Sequence, residues 1–141
     1  MTALLKTTQI QEPSSATVNL TLDSSGNLFA TGGGLGYSTG TGGTVTQLTS
    51  RTTGVTLNKQ SGAITMFTAA GSATAATFTV TNSTVAATDT IILNQKSGTN
   101  LYILLVTAVG AGSFNITFYT TGGTASDAPV INFNVIKGTT S

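Results

Sequence analysis

The chain has no histidine, no cysteine and no tryptophan, and its charge amounts to five Lys or Arg and four Asp or Glu in 141 residues. Each absence excludes something. Histidine and cysteine are the usual groups that move a proton or attack a substrate near neutral pH, so the means for most enzyme chemistry are missing. Without cysteine no disulfide braces the fold, and the redox compartment is left open. Six Phe and three Tyr are the whole aromatic complement. A core must therefore come mainly from Val, Ile, Leu, Ala and Phe, and at this length one domain, with or without an appendage, buries a sizeable one.

The few charges are also dispersed. Lys6, Arg51, Lys59, Lys96 and Lys137 form no cluster, and the formal net charge is +1. Nothing here neutralises several phosphates together, so no nucleic-acid partner is expected. Surface charge keeps soluble monomers apart. A surface of Thr, Ser, Asn and Gly suits a protein fixed in an assembly better than a free monomer, although a small soluble domain solvated by hydroxyls is the plainer alternative. The opening Met1–Lys6 carries only a two-residue apolar run, so no secretory signal is expected. The longest apolar stretch, Leu101 to Val109, suits a strand and is too short for a membrane helix. No membrane partner is expected.

What the chain does contain is sheet-forming sequence. Nearly a third of it is Ser or Thr, apolar residues alternate with period two, and Gly-rich or Asn-rich turns recur about every ten residues. No segment reads as a helix. Val18, Leu20 and Leu22 alternate before the turn 24–27, and Leu28–Thr31 returns, predicting a small hairpin in an N-terminal arm, 1–31. A Gly-rich segment, 32–43, reads as a flexible linker. The remainder, 44–141, reads as a β-domain with strands at 44–49, 54–58, 63–67, 76–82, 89–94, 101–109, 113–120 and 130–136. The turn 59–62 predicts a hairpin joining Val55 and Leu57 to Ile64 and Met66, and Gly110-Ala-Gly112 predicts another. In the last strand Ile131, Phe133 and Val135 share the core-facing parity. Phe29, Phe78, Phe114, Phe118 and Phe133 lie in alternating strands and are expected in the core. The fold class is all-β, an antiparallel β-sandwich of jelly-roll or immunoglobulin-like type with an extended N-terminal arm.

Candidate chemistry is thin. Gly34–Gly40 has the spacing G-x-G-x-x-x-G, with no following helix and no Gly-Lys-Ser/Thr, so it reads as linker. The carboxylates are Glu12, Asp23, Asp89 and Asp127. Two of them in the arm and two in or beside turns make no glycosidase pair, and no Asp-rich loop offers a calcium site. Asn19-Leu-Thr21, Asn82-Ser-Thr84 and Asn115-Ile-Thr117 match the glycosylation sequon, as chance alone allows in so Thr-rich a chain. A glycan site would draw on exposed aromatics, for which Tyr37, Phe67 and Tyr119 are the candidates. No catalytic residue, metal site or cofactor is expected.

The segments GTGGTVTQLTSRTTGVTLNKQSGAITM (40–66), TFTVTNSTVAATDTIIL (77–93), FNITFYTTGG (114–123) and APVINFNVIKG (128–138) resemble a β-domain of small bacteriophage virion proteins. The opening SSATVNLTLDSSGNLFATGG (14–33) is similar to N-terminal segments of phage head-decoration and fibre-like proteins. The resemblance implies a non-enzymatic capsid decoration (cement) protein on the capsid exterior, with the major capsid protein and other copies of itself as partners, a trimer at three-fold positions. A tail or vertex fibre that binds the host surface is the alternative. Val18, Leu20, Leu22, Leu28 and Phe29 are the expected assembly contacts, and the strand edges, poor in lysine, are available to neighbours.

With neither thiol nor imidazole, and with dispersed carboxylates, the melting temperature is expected to be the same, within about a degree, in chelator, calcium or reductant. A calcium-dependent rise of many degrees in a thermal melt would contradict this.

Overall fold

A computed structural model describes residues 9–11, 18–30, 34–38 and 40–139, with the backbone alone for 9–11, 18 and 19. The chain divides into two units, Met1–Gly36 and Tyr37–Ser141. The described residues contain no helix, and every regular element is a strand.

In the first unit β1 (Gln9–Gln11), β2 (Val18–Leu22) and β3 (Leu28–Ala30) form an antiparallel sheet in chain order. The expected hairpin is present, with Leu20 opposite Ala30, Thr21 opposite Phe29 and Leu22 opposite Leu28. Its turn is closed by Asp23, whose carboxylate accepts from the N–H groups of Ser25 at 2.9 Å and Asn27 at 2.8 Å and from the Asn27 side chain at 2.7 Å. Aspartate suits this place because its short side chain bonds the local backbone. Opposed residues share a face, so Leu20, Leu22, Leu28 and Ala30 lie on one side and Phe29 on the other. Phe29 is not core, since half of its surface (50%) is exposed. Three short strands have too little area to enclose a phenyl ring.

The second unit contains β4 (Gly42–Thr46), β5 (Val55–Thr56), β6 (Ser61–Thr65), β7 (Ala69–Ala70), β8 (Ala76–Thr81), β9 (Thr90–Ser97), β10 (Tyr102–Gly110), β11 (Ser113–Thr120), β12 (Ser126–Asp127) and β13 (Val130–Ile136). They build two four-stranded sheets, β10-β11-β8-β5 and β4-β6-β13-β9, and a small β12-β7 ladder. Both large sheets contribute to one hydrophobic cluster. Phe78, Phe114, Ile116 and Phe118 come from the first sheet, and Ile64, Ile131, Phe133 and Val135 from the second. Phe114 and Phe133 meet edge to face with ring centroids 5.3 Å apart, a favoured aromatic geometry. The parity expected of Ile131, Phe133 and Val135 holds, with exposures of 1% or less.

Several sequence expectations are corrected. The sheets are not purely antiparallel: β4 runs parallel to β6 and β5 parallel to β8. The hairpin expected across 59–62 does not form, because β5 and β6 lie in different sheets. Other strands claim the backbone on either side of that turn. The N–H of Leu57 bonds the Thr81 carbonyl at 3.0 Å, and the N–H of Val135 bonds the Gln60 carbonyl at 2.8 Å. Alternation could not separate the two arrangements, since both sheets face the same core. Gly110-Ala-Gly112 does form the β10–β11 hairpin, with Gly112 at φ +81°, a conformation that glycine adopts without strain. The strands β1, β7 and β12 are too short to show a period, and β9 continues to Ser97 where the sequence suggested Asn94.

The first strand of the second unit starts at Gly42, inside the segment whose composition suggested linker, and ends at Thr46 rather than Thr49. The glycines there serve close packing. Gly43 pairs with Gly62, and Leu57 lies over both. A Cβ on Gly43 would stand 2.9 Å from Leu57 Cδ1, and one on Gly62 would stand 2.5 Å from Leu57 Cδ2 and 2.7 Å from Phe133 Cε1.

Gly62→Ala is therefore expected to destabilise the fold by about 1–3 kcal/mol through overpacking, the reverse of the usual benefit of replacing a strand glycine. Denaturant unfolding measures it, and an unchanged or raised midpoint would contradict the packing account.

Candidate functional site

The densest polar cluster among the described residues surrounds Arg51, the only arginine in the chain. It stands in a loop shaped by Gln47, itself 2% exposed. The Gln47 amide donates to the carbonyls of Arg51 at 3.1 Å and Thr53 at 2.8 Å and accepts from the Phe67 N–H at 3.2 Å. This aims the Arg51 side chain at the β12-β7 ladder. Nε donates to the Phe67 carbonyl at 3.0 Å. Nη1 donates to the Ala70 carbonyl at 3.3 Å and the Tyr102 hydroxyl at 2.6 Å. Nη2 donates to the carbonyls of Ala69 at 2.5 Å and Asp127 at 2.6 Å and to Asp127 Oδ1 at 2.8 Å. The rigid fork of five donors is fully used by internal acceptors.

Asp127 answers it. Its Oδ1 also accepts from the Tyr102 hydroxyl at 2.7 Å and Asn100 Nδ2 at 3.2 Å, and its Oδ2 accepts from the N–H groups of Thr99 at 2.8 Å and Asn100 at 3.1 Å. Burial alone would raise this carboxyl's pKa. Hydrogen bonds from Tyr102, the Asn100 backbone, Arg51 and Thr99 outweigh that and hold it at about 2. The Tyr102 hydroxyl is pushed up, first by burial and then by its bond to Asp127. Gln95 completes the cluster, accepting from the Tyr102 N–H at 2.9 Å and donating to the Asn100 carbonyl at 2.7 Å. No buried side-chain polar atom among the described residues lacks a partner.

An open cleft of about 230 Å³ adjoins this cluster, lined by Tyr102, Phe118, Ala70, Ser72 and Thr74 beside Arg51. Its one cation has spent its donors inward. A carboxylate held near 2 is no base at neutral pH, and a phenol raised above its ordinary value is no nucleophile there. The geometry of the cluster is that of a clasp. It ties the 47–53 loop, the β12-β7 ladder and the start of β10 together.

The other sequence candidates are dispersed. Asp89 accepts from the Ala86 N–H at 2.8 Å, Lys137 Nζ at 2.5 Å and the Gly138 N–H at 3.1 Å, which fastens the last described residues to the 86–89 turn. The Ala86 bond, with Lys137 next, lowers its pKa. Asp23 closes its own turn, and its bonds to Asn27 lower its pKa. No three acidic residues come together among the described residues. Glu12 lies outside them. Of the aromatic candidates, Tyr37 donates its hydroxyl to the Val135 carbonyl. Phe67 is half-buried beside the clasp, and Tyr119 lies on β11 in the other sheet. The expected assembly residues Leu22, Leu28 and Phe29 are 39%, 59% and 50% exposed, Leu20 is half-buried, and the Val18 side chain lies outside the described residues. No helix among the described residues is long and apolar enough to cross a membrane.

Sequence reasoning missed the clasp. The one available signal was that a chain otherwise using lysine has a single arginine, the cation suited to buried, forked pairing. No protein-family model, curated protein or solved structure matches the chain.

Two outcomes are expected. Arg51→Met leaves Asp127 buried and unpaired and costs about 3 kcal/mol or more in denaturant unfolding. A folded-state pKa near 2, below the ordinary 3.8, means that folding favours the carboxylate. That stabilisation is complete above the ordinary value and is lost as pH falls toward 2. Stability measured between these limits is expected to fall, and Asp127→Asn to fall less steeply. An equal slope in the variant would contradict the clasp.

Proposed function

We propose that this chain is a non-enzymatic structural protein of a bacteriophage virion, a decoration protein on the capsid exterior that braces major capsid subunits. The sequence resemblance suggests the class, and one observation supports the role most. The small β1–β3 sheet leaves Leu22, Leu28 and Phe29 exposed, apolar surface on three short strands that a packing partner would cover. Contact with the capsid lattice or a neighbouring copy would supply the missing cover. The near-absence of surface charge favours that reading, because a protein held in a lattice has little need of self-repulsion. Reading the second unit as a β-sandwich is supported by two four-stranded sheets sharing one core. The clasp around Arg51, whose donors all go to internal acceptors, favours a structural role over catalysis.

Leu20→Asp combined with Leu22→Asp is expected to abolish incorporation into particles while the second unit keeps its thermal transition. Occupancy is read from averaged images of the virion, where hundreds of copies mark decoration and a few dozen or fewer mark a fibre. Normal occupancy of the double variant would remove the first unit from the mechanism.

A further inference from the structure

The sheet edges are not equally protected. In the second unit β5 is two residues long, and β9 carries Lys96. Beside β4, Lys59 donates to the Gly40 carbonyl at 3.1 Å. Short length and lysine are the usual guards against edge pairing. The fourth edge, β10, has nine residues, YILLVTAVG, without charge or proline. From Ser97 to Ser126 the chain carries no charged residue at all.

The open part of that edge is bounded on both sides. At its start β9 passes close by, and the outward N–H of Tyr102 is taken by Gln95 Oε1 at 2.9 Å. At its far end the pairing with β11 slips between Val106 and Ala108, leaving Thr107 as a bulge. What remains is 103–107, with Leu105 at its centre. The Leu101 carbonyl bonds the Thr121 N–H at 3.2 Å, so Leu101, Ile103 and Leu105 turn their backbone groups toward β11. By alternation Leu104 and Val106 turn theirs outward, where no strand of the described residues follows. The side chains of Leu104 and Val106 pack on the core yet are only partly buried. Leu105, on the opposite face, is 46% exposed.

We propose that 103–107 of β10 is a homodimer interface, paired antiparallel with the same segment of a second copy across a two-fold axis at Leu105. The symmetry suits the stretch. Leu104 of each copy then faces Val106 of the other, and each such pair exchanges both backbone hydrogen bonds. Leu105 meets its own copy as a non-hydrogen-bonded pair, with Cα atoms about 4.5 Å apart. The two sheets become one continuous sheet, which completes the cover over Leu104 and Val106 on one face and over Leu105 on the other. Charge selects the occupant. A two-fold axis sets like residues against like, so a charged edge would oppose itself. This one brings no charges together and offers nothing to a charged partner. The interface is a property of the chain in solution; it does not rest on the virion reading, and its two-fold closure differs from the three-fold trimer that the resemblance implies.

Sedimentation of the full chain over a concentration series is expected to show a monomer–dimer equilibrium. Leu105→Lys, which places two ammonium groups face to face, is expected to weaken it about tenfold or more, with an unchanged circular dichroism spectrum. Because the chain has no cysteine, Leu105→Cys reports contact directly. It is expected to give a disulfide-linked dimer on mild oxidation, while Thr79→Cys, on β8 away from the edge, stays unlinked. A monomer at every concentration, a closed trimer, a dimer indifferent to Leu105→Lys, or no linkage through Leu105→Cys would each overturn the proposal. Should Leu105→Lys disturb the fold, the cysteine linkage decides alone.

Discussion

The second unit depends on one buried cation. Arg51 reaches from an irregular loop and bonds four backbone carbonyls, a hydroxyl and a carboxylate, joining segments up to 76 residues apart in sequence. A buried ion pair is a poor source of net stability, because desolvation consumes most of the Coulombic gain. Its effect here is geometric. The carbonyls of Phe67, Ala69 and Ala70 lie in short or irregular backbone that no long ladder satisfies, and buried unpaired carbonyls are costly. The guanidinium supplies their donors together. Asp127 neutralises it and in turn accepts the Thr99 and Asn100 N–H groups in the β9–β10 connection.

From that fixed point the rest follows. With the β9–β10 connection held, Gln95 caps the Tyr102 N–H and β10 is set as the last strand of its sheet. The core between the sheets is closed by aromatic and β-branched residues, and the close approach of Gly43 and Gly62 beneath Leu57 brings the β4–β6 pair down onto Phe133. One sheet's outer surface is tied by hydroxyl contacts: Thr77 to Thr117 at 2.7 Å, Thr107 to Thr117 at 2.8 Å and Thr79 to Asn115 at 2.9 Å. Threonine thus serves twice, as a strand former and as a neutral polar surface. A protein built this way has little electrostatic protection against its own copies, which is a liability for a monomer and an advantage within an assembly.

Local pattern was legible in the sequence, and long-range partnership was not. Alternation revealed most strands, the core parity of β13, the β2–β3 hairpin and the turn at Gly112, because each depends on neighbours in sequence. It misplaced the pairing of β5 and β6, since two sheets facing one core impose the same alternation. Composition hid the start of β4, where glycine marks close packing. Phe29 read as core because alternation gives the face of a residue but not whether anything covers it. The pairing within the clasp was hidden too, although the single arginine marked one partner. Arg51 and Asp127 each sit among turn-like residues, and only the fold brings them within 2.8 Å.

Amide hydrogen exchange at Thr99 and Asn100 tests the clasp most directly. Both N–H groups donate to Asp127 Oδ2 in the β9–β10 connection, where Gln95 also holds the Asn100 carbonyl and Asn100 Nδ2 donates to the Ala125 carbonyl. If the Arg51–Asp127 clasp holds the second unit together, these two amides exchange only through global unfolding, at the opening free energy of the central β11 amides. Exchange orders of magnitude faster than β11, with the rest of the unit still protected, would show that the clasp opens locally and that the fold does not depend on it.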